Sequence, residues 1–436
     1  MFTKLASLAV LGSLVAAAPS AAPAPDKVSI DNVRLIQRQN SGVNANCRSF
    51  HADVTASTEQ NIDLASVIGG PPPNQQVLTQ ASIDQFAAGS TVMQQIGNAT
   101  KIPVNGTYSI YFEYCEPKNG QSSNSSKIFQ THHGLVGNAG YWNVQLDNSP
   151  NNSFAESAAA AGWSTLSYDR LGVGQSAKPD GTNVVQISYE IAQSVAIAQA
   201  LRSGNLSDVG QFGTVVGVGH SYGSNLLTGV ASIAPEAFDA LVLTGFTNNA
   251  TMGPLGLFAF QSTIANVAYP NRFASDANDY VITPSKAVDQ TGFFHYPNYT
   301  NSSLDFFTNN KGEYTLGQQN TIAVPIKLSR TNFTKPVFVV TGEYDAPYCA
   351  ANCSVTSLTA SSSSNSSMSS SNSTSASSNS SSTVAVTQLD TAKDLFPGVT
   401  AFDTYVVPDT AHGINYHTTA YQAYQQIINF VSGQGL

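Results

Sequence analysis

Between residues 127 and 244 the sequence repeats one pattern, in which a short apolar run is followed by a turn and then by a segment with helical periodicity. Short apolar runs bounded by turns predict buried strands, and apolar residues at helical spacing predict helices. Strands that alternate with helices form a mostly parallel sheet covered by helices, with right-handed crossovers. The predicted strands are 127–132, 163–168, 214–218 and 240–244, and the predicted helices are 153–162, 187–201 and 225–232.

The segments on either side of this repeat extend the same sheet. Upstream, alternating apolar residues predict two antiparallel strands, one that includes 50–54 and one at 107–114, with a helix at 83–96 between them. Residues 20–45 are predicted to be an unstructured lead. Downstream, the sequence predicts a strand at 336–341, a helix at 389–396, a last strand at 401–407 and a closing helix at 420–431.

Changes in composition divide the chain. Residues 1–20 are predicted to be a signal peptide, and residues 21–104 an N-terminal extension with the first strand. The core is predicted to occupy 105–247 and 335–436, interrupted by a cap at 248–334 that is rich in Phe, Tyr, Pro and Asn. A Ser-rich insert at 357–383 lacks the apolar residues that would offset ordering entropy, which predicts a disordered, glycosylated loop.

The N-terminus and the sequons predict secretion. An apolar run from Leu5 to Ala18 follows a single Lys4 and precedes a Pro/Ala stretch, which is typical of a signal peptide and too short to span a bilayer. N-glycans are expected, because ten Asn-x-Ser/Thr triplets lie outside the Ser-rich insert. They begin at Asn98, Asn105, Asn124, Asn151, Asn205, Asn249, Asn298, Asn301, Asn332 and Asn352.

Four cysteines fit the same oxidising compartment. Of the three possible pairings we favour Cys47–Cys115 and Cys349–Cys353, the second of which would close a small loop beyond Asp345. A zinc site is the alternative, but no Cys-x2-Cys pair or cluster of histidines accompanies these thiols.

The net charge and the hydropathy of the chain argue against nucleic acid or a membrane as its partner. A net charge of −9 and a pI near 5.1 offer no basic surface for nucleic acid, and no further segment is apolar and long enough to anchor in a membrane. A small-molecule substrate is therefore expected.

The GHSYG motif at 219–223 carries the sharpest chemical signal. It lies between an apolar strand and a helix, which is the context in which a G-x-S-x-G motif presents a nucleophilic serine. The turn forces the serine backbone into a strained conformation, and glycines two positions away avoid collisions with it. We therefore expect Ser221 to be the nucleophile at the carboxyl edge of the sheet.

Chain order suggests the base and the acid. In this arrangement the acid and then the histidine follow the nucleophile, and His412 comes directly after the last strand, with His417 as the alternative base. Asp345 is the first aspartate after the apolar strand at 336–341, with Glu343 as the alternative acid. An acid in this position orients the imidazole and stabilises the imidazolium that forms during the reaction.

An oxyanion needs two backbone donors. We expect them to be the N–H groups of Tyr222, at the start of the helix after the nucleophile, and of Leu135, after the His133-Gly134 pair that ends the strand at 127–132. The alternative for His133-Gly134-Leu135 is an ordinary turn at the end of a strand.

From about residue 105 to the C-terminus the chain resembles the α/β-hydrolase superfamily. The resemblance rests on five motifs in order: His133-Gly134, DRLGVGQS at 169–176, GHSYG at 219–223, PVFVVTGEYD at 336–345 and His412-Gly413. It implies an α/β fold with a catalytic triad and leaves the substrate open, since this fold hosts esterases, lipases, lactonases, peptidases and lyases. The long N-terminal extension and the Ser-rich insert depart from the pattern and, with the signal peptide, suggest a secreted member of fungal type.

The residues favour acyl transfer from an ester or lactone to water, with no cofactor or metal required. The aromatic residues of the cap favour an apolar substrate, and the alternative is that most of them form the cap's own core. A peptidase of the prolyl-aminopeptidase kind is the alternative enzyme, and it would require cap carboxylates to bind a substrate ammonium group. A non-catalytic protein of the same fold is the alternative from a different class. Epoxide hydrolase and dehalogenase chemistry would need an aspartate at position 221.

Overall fold

The computed structural model describes residues 30–118, 126–146, 149–206, 209–248, 253–354 and 387–436. The predicted signal peptide, the Ser-rich insert, and the sequons at Asn124 and Asn249 lie outside the described residues.

The N-terminal part forms a β-meander with small helices inserted in it. Its strands and helices are β1 (Ile30–Ser41), β2 (Ala45–Ile62), α1 (Ala65–Ile68), α2 (Gln75–Phe86), α3 (Val92–Gly97) and β3 (Lys101–Pro117). Buried and more exposed residues alternate along β2, as expected for an antiparallel strand with one face toward the core. The predicted strands at 50–54 and 107–114 are thus present and are longer than predicted.

The first half of the core alternates strands with helices. Its elements are β4 (Lys127–His132), α4 (Phe154–Ala160), β5 (Ser164–Tyr168), α5 (Ile187–Ser203), β6 (Thr214–His220), α6 (Tyr222–Ile233) and β7 (Ala240–Thr244). Every residue of β5 and β7 is buried, because helices cover both faces of a parallel sheet. The predicted repeat is present, with boundaries that differ by a few residues.

The cap consists of short helices and a small antiparallel sheet. It contains α7 (Gly253–Ala259), β8 (Thr263–Ile264), α8 (Ala265–Ala268), α9 (Pro270–Phe273), β9 (Tyr280–Ile282), α10 (Lys286–Phe293), α11 (Asn301–Asn310), β10 (Tyr314–Thr315) and α12 (Leu316–Thr321). A capping box at Thr315 and Gln318 starts α12. The cap also holds a fully buried ion pair, in which Lys311 Nζ lies 2.8 Å from Asp289 Oδ2.

The chain then returns to the core through β11 (Val337–Gly342), the short helix α13 (Ala346–Cys349), β12 (Phe402–Val407) and α14 (Ala420–Gly433). The nine strands of the main sheet are ordered β1-β2-β3-β5-β4-β6-β7-β11-β12. From β5 to β12 neighbouring strands are parallel, whereas β1, β2 and β3 pair antiparallel. The carboxyl ends of β4, β6, β11 and β12 therefore lie along one edge of the sheet.

Three predictions for secondary structure were wrong in detail. Residues 30–41 of the predicted lead form β1, which pairs with β2 through main-chain groups and so does not depend on an apolar alternation. The helix predicted at 83–96 is interrupted: α2 ends at Phe86 and α3 begins at Val92, with Gly89 at φ +83° between them. The helix predicted at 389–396 is a 3₁₀ helix, Gln388–Leu395.

Both predicted disulfides are present. Cys47–Cys115 joins the neighbouring strands β2 and β3, and Cys349–Cys353 closes a small loop after α13. Glu113 lies near the first pair, but sulfurs bonded to each other offer no thiolate for the zinc alternative. Among the described helices, none has the length and apolar character needed to cross a membrane.

Candidate active site

Ser221 occupies a strained turn between β6 and α6, with φ 54° and ψ −114°. Its N–H donates to Thr244 O of the neighbouring strand at 2.9 Å. The motif's glycines are required sterically: a Cβ on Gly219 would lie 2.6 Å from the main chain of Gly223, and a Cβ on Gly223 would lie 2.1 Å from His132 O. The elbow geometry expected from the motif is therefore present.

Asp345 and His412 meet at the carboxyl edge of the sheet. Asp345 follows β11 and His412 follows β12, and Asp345 Oδ2 lies 2.6 Å from His412 Nδ1. The other carboxylate oxygen accepts the N–H of Tyr348 at 2.9 Å. Both side chains are buried. A buried carboxylate in this position fixes the imidazole with Nδ1 as the donor, which leaves Nε2 as the basic nitrogen.

His412 also lies beside the elbow. Its ring is centred 4.7 Å from the ring of His220, the residue that precedes Ser221. The ring of Tyr348 is nearly parallel to that of His412, with the centres 5.6 Å apart, and Tyr348 lines the same pocket as Ser221. The fold thus brings together the three residues that the sequence suggested as a triad.

The alternative base and the alternative acid have other partners. His417 Nε2 accepts the N–H of His295 at 3.0 Å and that of Ala411 at 3.3 Å, and Nδ1 lies 3.0 Å from Gly413 O. Burial lowers the pKa of His417 to about 4, so this ring is a neutral tether between the cap and the His412 loop. Glu343 Oε2 accepts the N–H of Asp409 at 3.0 Å.

The loop after β4, which carries the predicted oxyanion donor Leu135, lies beside Ser221. Gly134 lies against the nucleophile, since a Cβ added there would be 3.0 Å from Ser221 Cβ. Gly134 O accepts from the N–H of Gly137 at 3.3 Å and from Arg170 Nη2 at 3.3 Å. Because a trans peptide is planar, the N–H of Leu135 points away from those two donors. Leu135 also lines the pocket at Ser221, and the role of its N–H as an oxyanion donor stays a prediction.

The buried ion pair between Arg170 and Glu190 contacts both segments that carry the predicted oxyanion donors. Arg170 donates through Nε to His133 O at 3.1 Å and through Nη1 to Glu190 Oε1 at 2.6 Å. Glu190 Oε2 accepts the hydroxyl of Tyr222 at 2.5 Å, and the guanidinium of Arg170 lies 4.2 Å from the centre of the Tyr222 ring. Burial raises the pKa of Glu190. The sequence motif at 169–176 gave only a structural role to Arg170, and nothing in the sequence pointed to Glu190.

The pocket at Ser221 has three walls. The core contributes Leu135, Asn225, Thr247, Pro347 and Tyr348; the cap contributes Gly256, Leu257, Phe260, Gln319, Asn320, Ile322, Ala323 and Ile326; and the segment between β2 and β3 contributes Gln85, Phe86 and Met93. The cavity holds about 160 Å³ and is lined mainly by apolar groups. Its contribution from α2 and α3 was not predicted, because no sequence signal links those helices to the elbow.

The comparison with known protein families bears on the fold. The sequence profile of the alpha/beta hydrolase fold family matches residues 131–347, which include Ser221 and Asp345. The strand order of the main sheet and the strained turn at Ser221 define the same fold class as this profile. The chain belongs to the α/β-hydrolase superfamily. No curated protein matches the chain.

Solved structures with this fold resemble the chain at low identity. An esterase from Thermogutta terrifontis is 12% identical, with 75% of this chain and 94% of that chain covered and a TM-score of 0.43. A bromoperoxidase from Bacillus anthracis is 14% identical, with coverage of 75% and 96% and a TM-score of 0.45. An enol-lactonase from Burkholderia xenovorans is 12% identical, with coverage of 74% and 97% and a TM-score of 0.43.

Proposed function

We propose that this protein is a secreted serine hydrolase that cleaves carboxylic esters or lactones of apolar small molecules. Ser221 is the nucleophile, His412 the general base and Asp345 the residue that orients the histidine. The observation that carries the proposal is the 2.6 Å contact between Asp345 Oδ2 and His412 Nδ1 beside a strained Ser221. The backbone N–H groups of Leu135 and Tyr222 form the oxyanion hole.

The reaction proceeds by acyl transfer. His412 takes the proton of Ser221 Oγ as that oxygen attacks the carbonyl carbon, and the N–H groups of Leu135 and Tyr222 bind the oxyanion. The alcohol leaves with the proton from His412. Water then attacks the acyl-enzyme, with the same imidazole as base, and Ser221 regains its proton when the acid is released.

The pocket supports an apolar acyl group of limited size. Its volume of about 160 Å³ is close to that of an engineered apolar cavity, about 150 Å³, that holds one benzene molecule. We therefore expect butanoyl, hexanoyl and benzoyl esters to be better substrates than hexadecanoyl esters. No carboxylate lines the pocket within the described ranges, which leaves the peptidase alternative without a group to bind a substrate ammonium.

The cap carboxylates are engaged elsewhere. Asp276 and Glu313 both contact Lys178, and Asp289 contacts Lys311. Asp279 accepts the hydroxyl of Thr182 at 3.0 Å, and Asp305 contacts Lys286. These contacts support an ester or lactone substrate over an aminopeptide.

Secretion and glycosylation rest on the signal peptide and the sequons. Of the eight sequon asparagines within the described residues, Asn298 is half-buried and the other seven are exposed, so each of these seven can carry a glycan without disturbing the core. A downward shift in apparent mass after treatment with an N-glycosidase, in protein collected from the culture medium, would support this part of the proposal. An unchanged mass would contradict it.

The test of the enzymatic proposal compares the secreted protein with Ser221→Ala on p-nitrophenyl esters of rising chain length, on lactones and on proline p-nitroanilide. Labelling with a fluorophosphonate probe is measured in parallel. We expect turnover of the short apolar esters or of lactones, and labelling at position 221, with both lost in the variant. Turnover of the anilide alone would favour the peptidase, and absence of both labelling and turnover would favour the non-catalytic alternative.

A further inference from the structure

Gln319 is a buried polar side chain on the cap wall of the pocket. It belongs to α12, is 5% exposed and lines the cavity that also contains Ser221. The cavity holds only about 160 Å³, so a small molecule bound at Ser221 lies within reach of Gln319. A buried polar group costs free energy unless it has a hydrogen-bond partner. The partners of the Gln319 amide therefore indicate what the pocket is built to bind.

The amide oxygen of Gln319 is turned away from the cavity. Ser262 Oγ donates to Gln319 Oε1 at 2.9 Å and lies 2.8 Å from Tyr314 Oη. Neither Ser262 nor Tyr314 is among the described residues that line the cavity. Gln319 Oε1 therefore points to a polar group behind the wall, and the amide nitrogen takes the other direction.

The two hydroxyl groups fix this orientation of the amide. When Tyr314 donates to Ser262 and Ser262 donates to Gln319 Oε1, both hydroxyl hydrogens have an acceptor. With the amide oxygen and nitrogen exchanged, one of the two hydrogens would have no acceptor within the described ranges. Tyr314 is fully buried, so that loss would be costly.

The amide nitrogen of Gln319 is thus a free donor at the pocket. Among the residues that the structure describes, Nε2 has no hydrogen-bond partner, although the residue is buried. The neighbouring amide nitrogens are engaged. Asn225 Nδ2 donates to Tyr348 Oη at 2.6 Å, and Asn320 Nδ2 donates to a main-chain carbonyl of α12 at 2.9 Å. Gln85 Nε2 donates to Asn320 Oδ1 at 2.9 Å.

We propose that Gln319 selects substrates whose acyl group carries a second carbonyl oxygen, which accepts a hydrogen bond from Gln319 Nε2. This rests on the proposed function above: Ser221 attacks the scissile carbonyl while the acyl group lies against the apolar walls. An acyl group without the acceptor fills the pocket and leaves the buried donor unpaired, which is how a polar site rejects an apolar analogue.

The chemistry of the walls favours a neutral carbonyl over other acceptors. No Lys or Arg lines the cavity in the described part of the chain, so a carboxylate would find no counter-charge there. A hydroxyl would bring a hydrogen of its own, which needs a further acceptor. A ketone oxygen accepts the N–H of Gln319 and adds no donor to a mainly apolar pocket.

The test uses p-nitrophenyl heptanoate and its 4-oxo, 5-oxo and 6-oxo derivatives, which have the same chain length and place the second oxygen at different distances from the scissile bond. The oxo preference is kcat/KM for the best oxo ester divided by kcat/KM for heptanoate. Rates with Ser221→Ala are subtracted, because a ketone can assist hydrolysis without the enzyme. For the wild type we expect a preference of about fivefold, the usual value of one neutral hydrogen bond.

Gln319→Met removes the donor and keeps the length of the side chain, so the oxo preference should disappear. Gln80→Met is the matched control. Gln80 is exposed on α2, donates to Asp84 Oδ1 at 2.8 Å and is not part of the cavity wall, so this variant should keep the wild-type preference.

Each outcome has a separate meaning. A wild type that prefers none of the oxo esters, a Gln319→Met variant that keeps the preference, or an equal loss of kcat/KM for all four esters would overturn the role of Gln319 and leave the serine hydrolase standing. Absence of turnover and of fluorophosphonate labelling in the wild type would instead overturn the proposed function.

Loss of the amide also leaves Ser262 Oγ without its acceptor, which can unfold the single variant. The triple variant Gln319→Met, Ser262→Ala and Tyr314→Phe removes the whole chain of polar groups, an exchange that can be nearly neutral for stability. It should show the same loss of the oxo preference. A folded triple variant with the wild-type preference would contradict the proposal.

Discussion

The two sides of the pocket are built in different ways. On the core side, Ser221, Asp345 and His412 lie at the ends of sheet strands and are fixed by backbone strain or buried hydrogen bonds. On the other side, the cap meets the segment between β2 and β3, named here the roof and comprising residues 63–100 and 253–334. Its contacts include the Gln85–Asn320 hydrogen bond at 2.9 Å and the edge-to-face pair Phe86–Phe258.

This difference indicates that the fold assigns catalysis and substrate selection to separate parts of the chain. Parallel strands whose ends share one edge hold chemistry in a fixed place, whereas insertions beyond that edge decide what fits beside it. Changes on the core side should therefore lower the turnover of every substrate. Changes in the roof should alter the choice between substrates.

The largest effect is expected for Asp345→Asn. An amide in this position no longer fixes the tautomer of His412, and kcat should fall by about 10⁴-fold for every ester. Glu343→Gln is the matched control. Glu343 accepts the backbone N–H of Asp409 and not a proton of His412, so this variant should leave kcat nearly unchanged. Steady-state kinetics on two esters of different length measure both. A greater loss of kcat in the Glu343 variant would assign the role of the acid to Glu343.

Arg170→Met should disturb the core side through stability as well as catalysis. It leaves the buried Glu190 carboxylate uncompensated, which costs about 3–5 kcal/mol of unfolding free energy. It also removes the donors to His133 O and Gly134 O, so kcat should fall for short and long esters alike. Denaturant unfolding and steady-state kinetics are the measurements.

Arg202→Met is the control for Arg170, because its ion pair with Asp239 is partly exposed and is worth about 1 kcal/mol or less. Equal destabilisation by the two changes would show that the buried pair contributes no more to stability than the exposed one.

The Cys349–Cys353 loop tests how far the acid and Tyr348 depend on a covalent restraint. Replacing both cysteines by serine should lower the free energy of unfolding by about 2 kcal/mol, the value that chain entropy gives for so short a ring. Because Asp345 is also held by β11 and His412, kcat should fall less than in the Asp345 variant. Thermal unfolding and kinetics measure the two effects, and a fully inactive but folded variant would contradict this expectation.

Phe86→Ala should change the preference between short and long acyl esters without a general loss of kcat. Removing the ring opens the wall that α2 contributes to the pocket, so the ratio of kcat/KM for decanoyl over butanoyl esters should rise about tenfold, a normal value for apolar pocket contacts. Ile83→Ala is the control on the same helix, since Ile83 is 46% exposed. An unchanged ratio in Phe86→Ala, or a loss of kcat for all esters, would remove the distinction between roof and core.

The same division separates what the sequence could predict from what it could not. The main-sheet strands other than β1, the elbow at Ser221 and the meeting of Asp345 with His412 follow from local periodicity and from the fixed order of this topology. The positions of Tyr348 and Glu190 at the site were not predicted, because each depends on contacts between residues far apart in sequence. The cap was predicted, but the contribution of residues 63–100 to the roof was not: Phe86 and Ser221 are brought together only by tertiary packing, which leaves no periodic signal.

A further effect, confined to acid pH, concerns His417, which joins the roof to the core by accepting the N–H of His295 and that of Ala411. Its folded pKa of about 4 lies below the ordinary value of 6.5, so the unfolded chain binds a proton that the folded chain excludes. Its contribution to stability is therefore present above pH 6.5 and is lost as the pH falls toward 4, by about 1 kcal/mol per pH unit.

His417→Gln removes this titration, so its unfolding free energy should fall less steeply than that of the wild type between pH 6 and pH 4. Denaturant unfolding at several pH values measures the two slopes. The comparison between variants is needed because Asp169, whose pKa burial raises to about 6, acts in the opposite direction in both proteins. Equal slopes would show that His417 is not the neutral tether between the two sides of the pocket.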